Sequence, residues 1–391
     1  MNPIDNPYTP GAGTQPHELA GRDELKGSLS ITIARIMRTK PAKSMLMVGL
    51  RGVGKTVLLE QMRQDVEAMG AHTIYVEAPE NRSLPSLLSP QLRLALLKLS
   101  RLEQSKEAAT RALKALAGFA RSLKVTFNDI EVGFDQEPEA GLADNGDLEA
   151  DLTALMIETG HAAKAGKTAL VIFIDELQYV QTEQFAALIT ALHRCAQLKL
   201  PITLVGAGLP QLRGLAGNAK SYAERLFNYP EVGALDEESA KKAIVNPAKD
   251  EDVDIEEAAV KEIISKTQGY PYFIQEWGSN TWDLAEDNPI TRDDVINSTD
   301  LTVAQLDESF FRVRFDRLTP KEKDYLYAMA KLGAGPHRSG DIAESMQKKV
   351  NEVAPVRNSL IKKGMVWAPN HGDTSFTVPL FDEFMLRIME E

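Results

Sequence analysis

Short unbroken apolar runs alternate with longer amphipathic stretches along the first 235 positions. Met45-Leu46-Met47-Val48, His72-Thr73-Ile74-Tyr75-Val76, Thr168 to Ile174 and Ile202-Thr203-Leu204-Val205 read as strands, the third and fourth buried on both faces as central parallel strands are. Between them, apolar residues return at helical spacing. Val57, Leu58, Met62, Val66 and Met69 mark one helix, and residues 84–121, 148–165 and 184–198 mark others. Strand and helix in strict alternation predict a parallel α/β sheet with its ligand sites at the strands' C-terminal ends.

The pattern changes near residue 236. Helical periods at 238–245, 255–267, 273–286 and 291–298 predict a small helical domain over 236–305. From 306 to 391 a third arrangement takes over. Helices at 320–332, 339–346 and 353–364, the last closed by Gly364, precede two short apolar segments, 365–367 and 375–378. Three helices followed by a hairpin describe a winged helix. The first 20 residues, rich in Pro, Gly, Asn and Thr, predict an irregular arm. Within the α/β domain of 21–235, residues 84–147 form an insertion. Alternating apolar positions around Asn128-Asp129 predict a hairpin over 124–134, and the acidic, glycine-containing run at 135–147 predicts a mobile solvated loop.

Chemistry concentrates at two strand ends. The first strand runs into Gly49-Leu50-Arg51-Gly52-Val53-Gly54-Lys55-Thr56, which fits G-x-x-x-x-G-K-[ST] and opens a helix. Glycines there let successive backbone N–H groups point at one anion, and the helix N-terminus adds its partial positive charge. Lys55 would reach outer phosphates, and Thr56 would offer its hydroxyl to Mg²⁺. The third strand ends in Asp175-Glu176. A carboxylate at that place can hold Mg²⁺, and its neighbour, pointing differently, can orient an attacking water. A nucleoside triphosphate and Mg²⁺ are therefore the expected ligands, with Lys55 and Glu176 in catalytic roles and Thr56 and Asp175 on the metal.

Composition narrows the partners. The 391 residues carry a formal net charge of −12, which argues against a protein that coats nucleic acid, although a local basic face stays open. The single cysteine, Cys195, excludes a disulfide framework and falls in an apolar helical pattern, as a buried inert thiol would. No leader segment is visible at Met1-Asn2-Pro3-Ile4-Asp5, and the longest apolar run is too short to cross a bilayer, so a cytoplasmic protein without membrane contact is expected.

With these motifs in place the chain resembles the AAA+ ATPases, and more narrowly the bacterial and archaeal members with a C-terminal winged helix, near the origin-initiator and STAND groups. Gly21-Arg22-Asp23-Glu24 resembles their N-terminal GRE box, which packs beside adenine. Gly49–Thr56 and Asp175-Glu176 resemble the Walker A and Walker B elements. Gly269-Tyr270-Pro271 resembles the GxP element that approaches the nucleotide in STAND proteins. The resemblance implies a nucleotide site drawn from Arg22, Gly49, Gly52, Val53, Gly54, Lys55, Thr56, Val57, Tyr270 and Pro271, with adenine as base, and a nucleotide-dependent movement of the winged helix.

Two departures from the family pattern bear on mechanism. The fourth strand ends Val205-Gly206-Ala207-Gly208, with no polar sensor residue and only Thr203 polar inside it. The arginine finger of ring-forming members has Arg225 in a comparable place, with Arg213 the other candidate; either reads equally as a surface ion-pair residue. A homo-oligomer working on DNA and a slowly hydrolysing signalling switch both fit. In the third winged-helix segment, Arg357, Lys362 and Lys363 could face a DNA major groove, while the same module could equally dock a protein.

Overall fold

The computed structural model describes all residues except 12, 80–81, 124–136, 334 and 391. They fall into two compact units: residues 22–49 with 55–232, and residues 1–21 with 50–54 and 233–391.

The first unit is built on a five-stranded parallel sheet in the order β2-β3-β4-β1-β5, where the strands are β1 (Ser44–Val48), β2 (His72–Glu77), β3 (Leu170–Asp175), β4 (Ile202–Gly208) and β5 (Phe227–Asn228). Every residue of β1, β3 and β4 is buried, which is why these strands are unbroken apolar runs rather than alternating ones. β4 lies between β1 and β3, so the ends of β1 and β3 flank its tip.

Helices α1 (Asp23–Met37), α2 (Lys55–Ala68), α3 (Leu84–Ser100), α4 (Lys106–Ser122), α5 (Leu148–Ala165), α6 (Thr182–Gln197), α7 (Leu212–Ala219) and α8 (Ala223–Leu226) complete this unit. The stretch expected as one helical block, 84–121, is two helices. Between them Ser105 turns the chain, its hydroxyl donating to the Leu99 carbonyl at 2.7 Å. The expected hairpin at 124–134 lies outside the described residues.

The described part of the acidic stretch that follows, residues 137–147, is irregular and mostly exposed, and its end is fastened to the core. Asp151, fully buried near the start of α5, accepts from the backbone N–H groups of Asn145 (3.0 Å) and Gly146 (2.9 Å), the Asn145 amide (3.1 Å) and the Ser122 hydroxyl (3.0 Å). One carboxylate thereby fastens residues 145–146 to the ends of two helices. Cys195 is buried on α6, and burial pushes its thiol up to about 12, as expected for an inert core position.

The second unit contains α9 (Glu237–Asp250), α10 (Glu257–Thr267), α11 (Pro271–Leu284) and α12 (Arg292–Leu306). Trp277 and Trp282 are buried here and serve packing. The fourth helix outruns the expected 291–298. Ser298 and Thr302, which look like terminators, have their hydroxyls satisfied internally: Thr302 donates to the Ser298 carbonyl at 2.8 Å, and Ser298 shares a 2.8 Å hydrogen bond with Thr281.

The N-terminal arm is anchored in this unit. Tyr8 is 4% exposed and its hydroxyl donates to the Ile244 carbonyl; Trp282 Nε1 donates to the Asn2 carbonyl at 3.0 Å. Gly278 makes room for it, because a Cβ there would lie 2.6 Å from the Tyr8 ring. Low propensity for regular structure did not mean freedom, since one aromatic side chain supplies the burial.

A single π-helical turn, Asp307–Phe311, and α13 (Arg312–Phe315) lead into the last segment. It runs α14 (Pro320–Lys331), β6 (His337–Arg338), α15 (Ser339–Ser345), α16 (Val350–Lys362), β7 (Val366–Trp367), β8 (Asp373–Phe376) and α17 (Phe381–Glu390). The antiparallel sheet β6-β8-β7 with these helices is winged-helix connectivity. The closing helix α17, unmarked in the sequence reading, buries Phe381, Phe384 and Met385; the ring centroids of Phe381 and Phe384 lie 5.7 and 5.4 Å from that of Phe311.

Candidate nucleotide site

The turn after β1 begins with Gly49, whose N–H donates to the Gly208 carbonyl at 3.1 Å and so fixes the loop's root to the tip of β4. Gly52 and Gly54 have φ of +81° and +85°, the left-handed region where a side chain is strained, so both glycines are conformational requirements of the turn. Helix α2 starts at Lys55. The Lys55 side chain is buried, and its ammonium donates to the Gly49 carbonyl at 3.0 Å, folded back over the root of the loop. Thr56, next on the helix, donates its hydroxyl to Asp175 Oδ2 at 2.6 Å.

Asp175 ends β3 and is 2% exposed. Burial drives its carboxyl above the usual carboxylate range; the hydrogen bonds from Thr56 and from the Glu176 N–H, together with the Lys55 ammonium, work the other way, while the Glu176 charge adds to the rise. A divalent cation would relieve that burial cost. The Thr56 hydroxyl and one carboxylate oxygen converge, which is the donor set for Mg²⁺ completed by water and phosphate oxygens. Among the described residues no group of three or more His, Cys, Asp or Glu side chains could hold a metal without such help.

Glu176 follows in a left-handed conformation, φ 51° and ψ 37°. This is uncommon for a residue with a Cβ and costs on the order of 1 kcal/mol. Its backbone N–H donates to Asp175 Oδ1 at 2.8 Å. The Glu176 carboxylate accepts from the Gln178 side-chain amide. Gln178 was missed at the sequence level; a lone glutamine in a turn carries no motif.

In the other unit, residues 50–54 of the loop pack with the start of α11. The Tyr272 N–H donates to the Gly52 carbonyl at 3.2 Å, and a Cβ on Gly52 would lie 3.2 Å from the Tyr270 ring. Val53 is 1% exposed. Gly269, at φ 71°, accepts the Leu235 N–H at 2.8 Å, and Pro271 is the first residue of α11. The Tyr270 hydroxyl is buried with no hydrogen-bond partner among the described residues, a costly arrangement. Gly21 closes on Ser239, where a Cβ would lie 2.7 Å from the hydroxyl oxygen. In the first unit, Arg22 is buried at the N-cap of α1, and Val57 is partly buried on α2.

Other expected residues sit elsewhere. The Thr203 hydroxyl shares a 3.1 Å hydrogen bond with Ser44 at the opposite end of the strands, away from the loop. Arg225 is exposed on α8, with no ion pair among the described residues. Arg213 is held by the Tyr229 carbonyl (3.1 Å) and Glu231 (3.8 Å). In the winged helix the Arg357 guanidinium bridges Thr374 Oγ1 (2.7 Å) and the Asp373 carbonyl (2.8 Å), and Lys363 donates to Glu322 (2.7 Å) and the Arg317 carbonyl (2.9 Å). Of those three, Lys362 alone is exposed with no hydrogen bond or ion pair among the described residues.

A glycine-rich turn and an Asp-Glu strand end meeting beside an intervening strand define a P-loop nucleoside triphosphatase. An AAA ATPase domain family model matches residues 18–205, so this stretch is an AAA+ P-loop ATPase domain. Residues 308–385 match a second family model, a domain of unknown function. No curated protein matches by sequence. Among solved structures the chain is similar to a Walker-type ATPase of Pyrococcus abyssi, with TM-score 0.59, 15% identity, and 95% of this chain and 97% of that one covered. More distant similarities are to the Thermotoga maritima RuvB Holliday junction branch migration motor (TM-score 0.47, 17% identity, 93% and 96% covered) and to the Aeropyrum pernix ORC1 protein in complex with DNA (0.48, 14%, 95% and 94%). Among the described residues no helix is long and apolar enough to cross a membrane.

Proposed function

We propose that the chain hydrolyses Mg²⁺-ATP and uses the nucleotide as a conformational switch. The 2.6 Å hydrogen bond between Thr56 and Asp175 carries this reading, because it brings both metal-binding groups of the two motifs to one point. The loop's backbone N–H groups and Lys55 bind and neutralise the phosphates; Glu176 orients water for in-line attack; Mg²⁺ supplies charge neutralisation when bound. Within the unit that carries residues 50–54, the orphaned Tyr270 hydroxyl supports a ligand contact beside the loop.

The output is movement of the C-terminal domain. Gly52 of the loop holds Tyr272, and Tyr272 stacks on Phe310 of the π-helical turn with 4.6 Å between centroids. Phe310 meets Phe311, which packs on Phe381 and Phe384 of α17. A change in the loop backbone therefore has a continuous packed route to the last helix.

A protein partner fits the C-terminal domain better than duplex DNA. Residues 318–391 contain ten Lys and Arg against ten Asp and Glu, and Arg357 and Lys363 are spent on internal bonds. A duplex-binding module concentrates free basic groups.

Calorimetry with Mg²⁺-ATP tests the core reading. Uptake is expected from the unaltered chain, with loss of about tenfold or more in Lys55→Ala and retained uptake without turnover in Glu176→Gln. Equal uptake by the unaltered chain and Lys55→Ala refutes it. Titration with duplex DNA across salt concentrations tests the partner; binding that weakens steeply with salt would establish phosphate contact and overturn the protein-partner reading.

A further inference from the structure

The end of β4 has no polar side chain to offer the site, and the structure shows what fills the space. A Cβ on Gly208 would lie 2.6 Å from Gln178 Oε1 and 3.0 Å from Leu212 Cδ2. The position is glycine because a carboxamide from the neighbouring turn already occupies it. That carboxamide uses both of its ends. Oε1 accepts the backbone N–H of Leu209, the residue after β4, at 3.0 Å; Nε2 donates to Glu176 Oε2. Gln178 sits two residues past Glu176 in the short 3₁₀ turn Leu177–Tyr179, whose Leu177 anchors it in the core at 1% exposure. Gly206, one alternation earlier in β4, is also glycine because of this turn: a Cβ there would lie 2.9 Å from Leu177 Cδ2 and 2.7 Å from Leu46 Cδ2. The glycines of β4 and the turn after β3 thus form one fitted unit.

We infer that Gln178 is a positioning residue of the hydrolytic site: its carboxamide bridges the Glu176 carboxylate to the Leu209 N–H and fixes where that carboxylate points. The inference rests on the reading of Glu176 as the water-orienting group. A glutamate side chain has three rotatable bonds and samples several rotamers unless held. With Oε2 taken by Gln178, the remaining oxygen is the one presented to water. Because the other end of the bridge is a backbone group at the tip of β4, any shift of that tip turns the carboxylate. Gln178 itself touches neither phosphate nor metal in this scheme, so it affects the reaction step and not nucleotide affinity.

The full chain carrying Gln178→Met, close in size but unable to make either bond, and separately Gln178→Glu, which keeps an acceptor for Leu209 and loses the donor to Glu176, tests this. Three readouts are compared with the unaltered chain: affinity for a fluorescent ATP analogue with Mg²⁺, single-turnover hydrolysis, and amide hydrogen exchange over 202–212. Affinity should stay within about twofold while turnover falls about tenfold in both variants, the size expected when one positioning hydrogen bond is lost. Exchange at Leu209 should quicken in Gln178→Met and stay protected in Gln178→Glu. Gly208→Ala, whose methyl displaces Gln178 Oε1, should reproduce the Gln178→Met pattern. Unchanged turnover, turnover that falls only in step with affinity, or unchanged exchange at Leu209 overturns the inference. Glu176→Gln separates its failure from that of the parent reading. If Glu176→Gln hydrolyses like the unaltered chain, the role given to Glu176 is wrong, and the exchange result alone then decides whether the bridge exists.

Discussion

Thr56 Oγ1 and Asp175 Oδ2 lie 2.6 Å apart although 119 positions separate them in the chain. One belongs to the first turn of α2 and the other to the last residue of β3, with β4 between their parent strands. Their meeting predicts shared dependence on the metal. Thr56→Val and Asp175→Asn should each lower ATP affinity in the presence of Mg²⁺ by about tenfold or more, and should leave the weaker metal-free affinity nearly untouched, since Lys55 and the loop amides remain. Paired calorimetric titrations with Mg²⁺ and with EDTA check this; equal losses under both conditions would mean that the two residues do not share a metal.

Much of this site was legible in the residues because each part answers to a local rule. A glycine turn needing positive φ at Gly52 and Gly54, a helix opening on Lys55, and an apolar run ending in Asp175-Glu176 all leave marks in a dozen residues or fewer. The parts that escaped depend on distant residues. Gln178 becomes significant only once Gly208 is beside it, and Tyr8 only once Gly278 leaves it a notch. Asp151 turned an acidic run into a fastened turn through contacts that composition does not encode. The same holds for Arg357 on α16 and Lys363 just after it, which look available along the chain and are engaged across the domain.

Asp151 makes a prediction independent of nucleotide. Its carboxylate is fully buried and collects four hydrogen bonds, so Asp151→Ala removes the acceptor of two backbone N–H groups and the Asn145 amide and leaves the Ser122 hydroxyl only the Phe119 carbonyl at 3.2 Å. Loss of about 2–4 kcal/mol of stability is expected, the range for breaking a buried charged hydrogen-bond cluster. Denaturant unfolding of the variant checks it, and a midpoint equal to that of the unaltered chain would show residues 145–146 to be held by something else.

Arg225 decides between a shared and a self-contained site. It stands exposed on α8 without an ion pair among the described residues, whereas Arg213 is occupied by Tyr229 and Glu231. If subunits complete one another's sites, mixing Arg225→Ala with Lys55→Ala should restore about a quarter of the turnover, because random pairing leaves one intact interface in four. Light scattering with and without a non-hydrolysable ATP analogue supplies the companion observation: a nucleotide-induced assembly should accompany rescue. An unchanged monomer with no rescue assigns Arg225 to the surface.

The acid response of the C-terminal domain turns on Glu322. It caps α14 through Thr319 and is 3% exposed. Burial alone would raise its carboxyl, but hydrogen bonds from Lys363, the Thr319 N–H, Ser359 and the Thr319 hydroxyl outweigh it and hold the group down at about 2 against an ordinary 4.5. A lowered native value means that the folded state gives up its proton more readily than the unfolded one. The stabilisation is therefore fully present above pH 4.5, and it is lost as the pH falls toward 2. Glu322→Gln should cost about 1–3 kcal/mol at pH 7, where the ionised cap and the Lys363 pair are lost. It should cost progressively less between pH 4.5 and 2, where the unaltered carboxylate is itself being neutralised. Denaturant midpoints of the two proteins measured at pH 7, 4 and 3 should converge with acid. Parallel curves at all three values would place the acid sensitivity of this domain on other carboxylates.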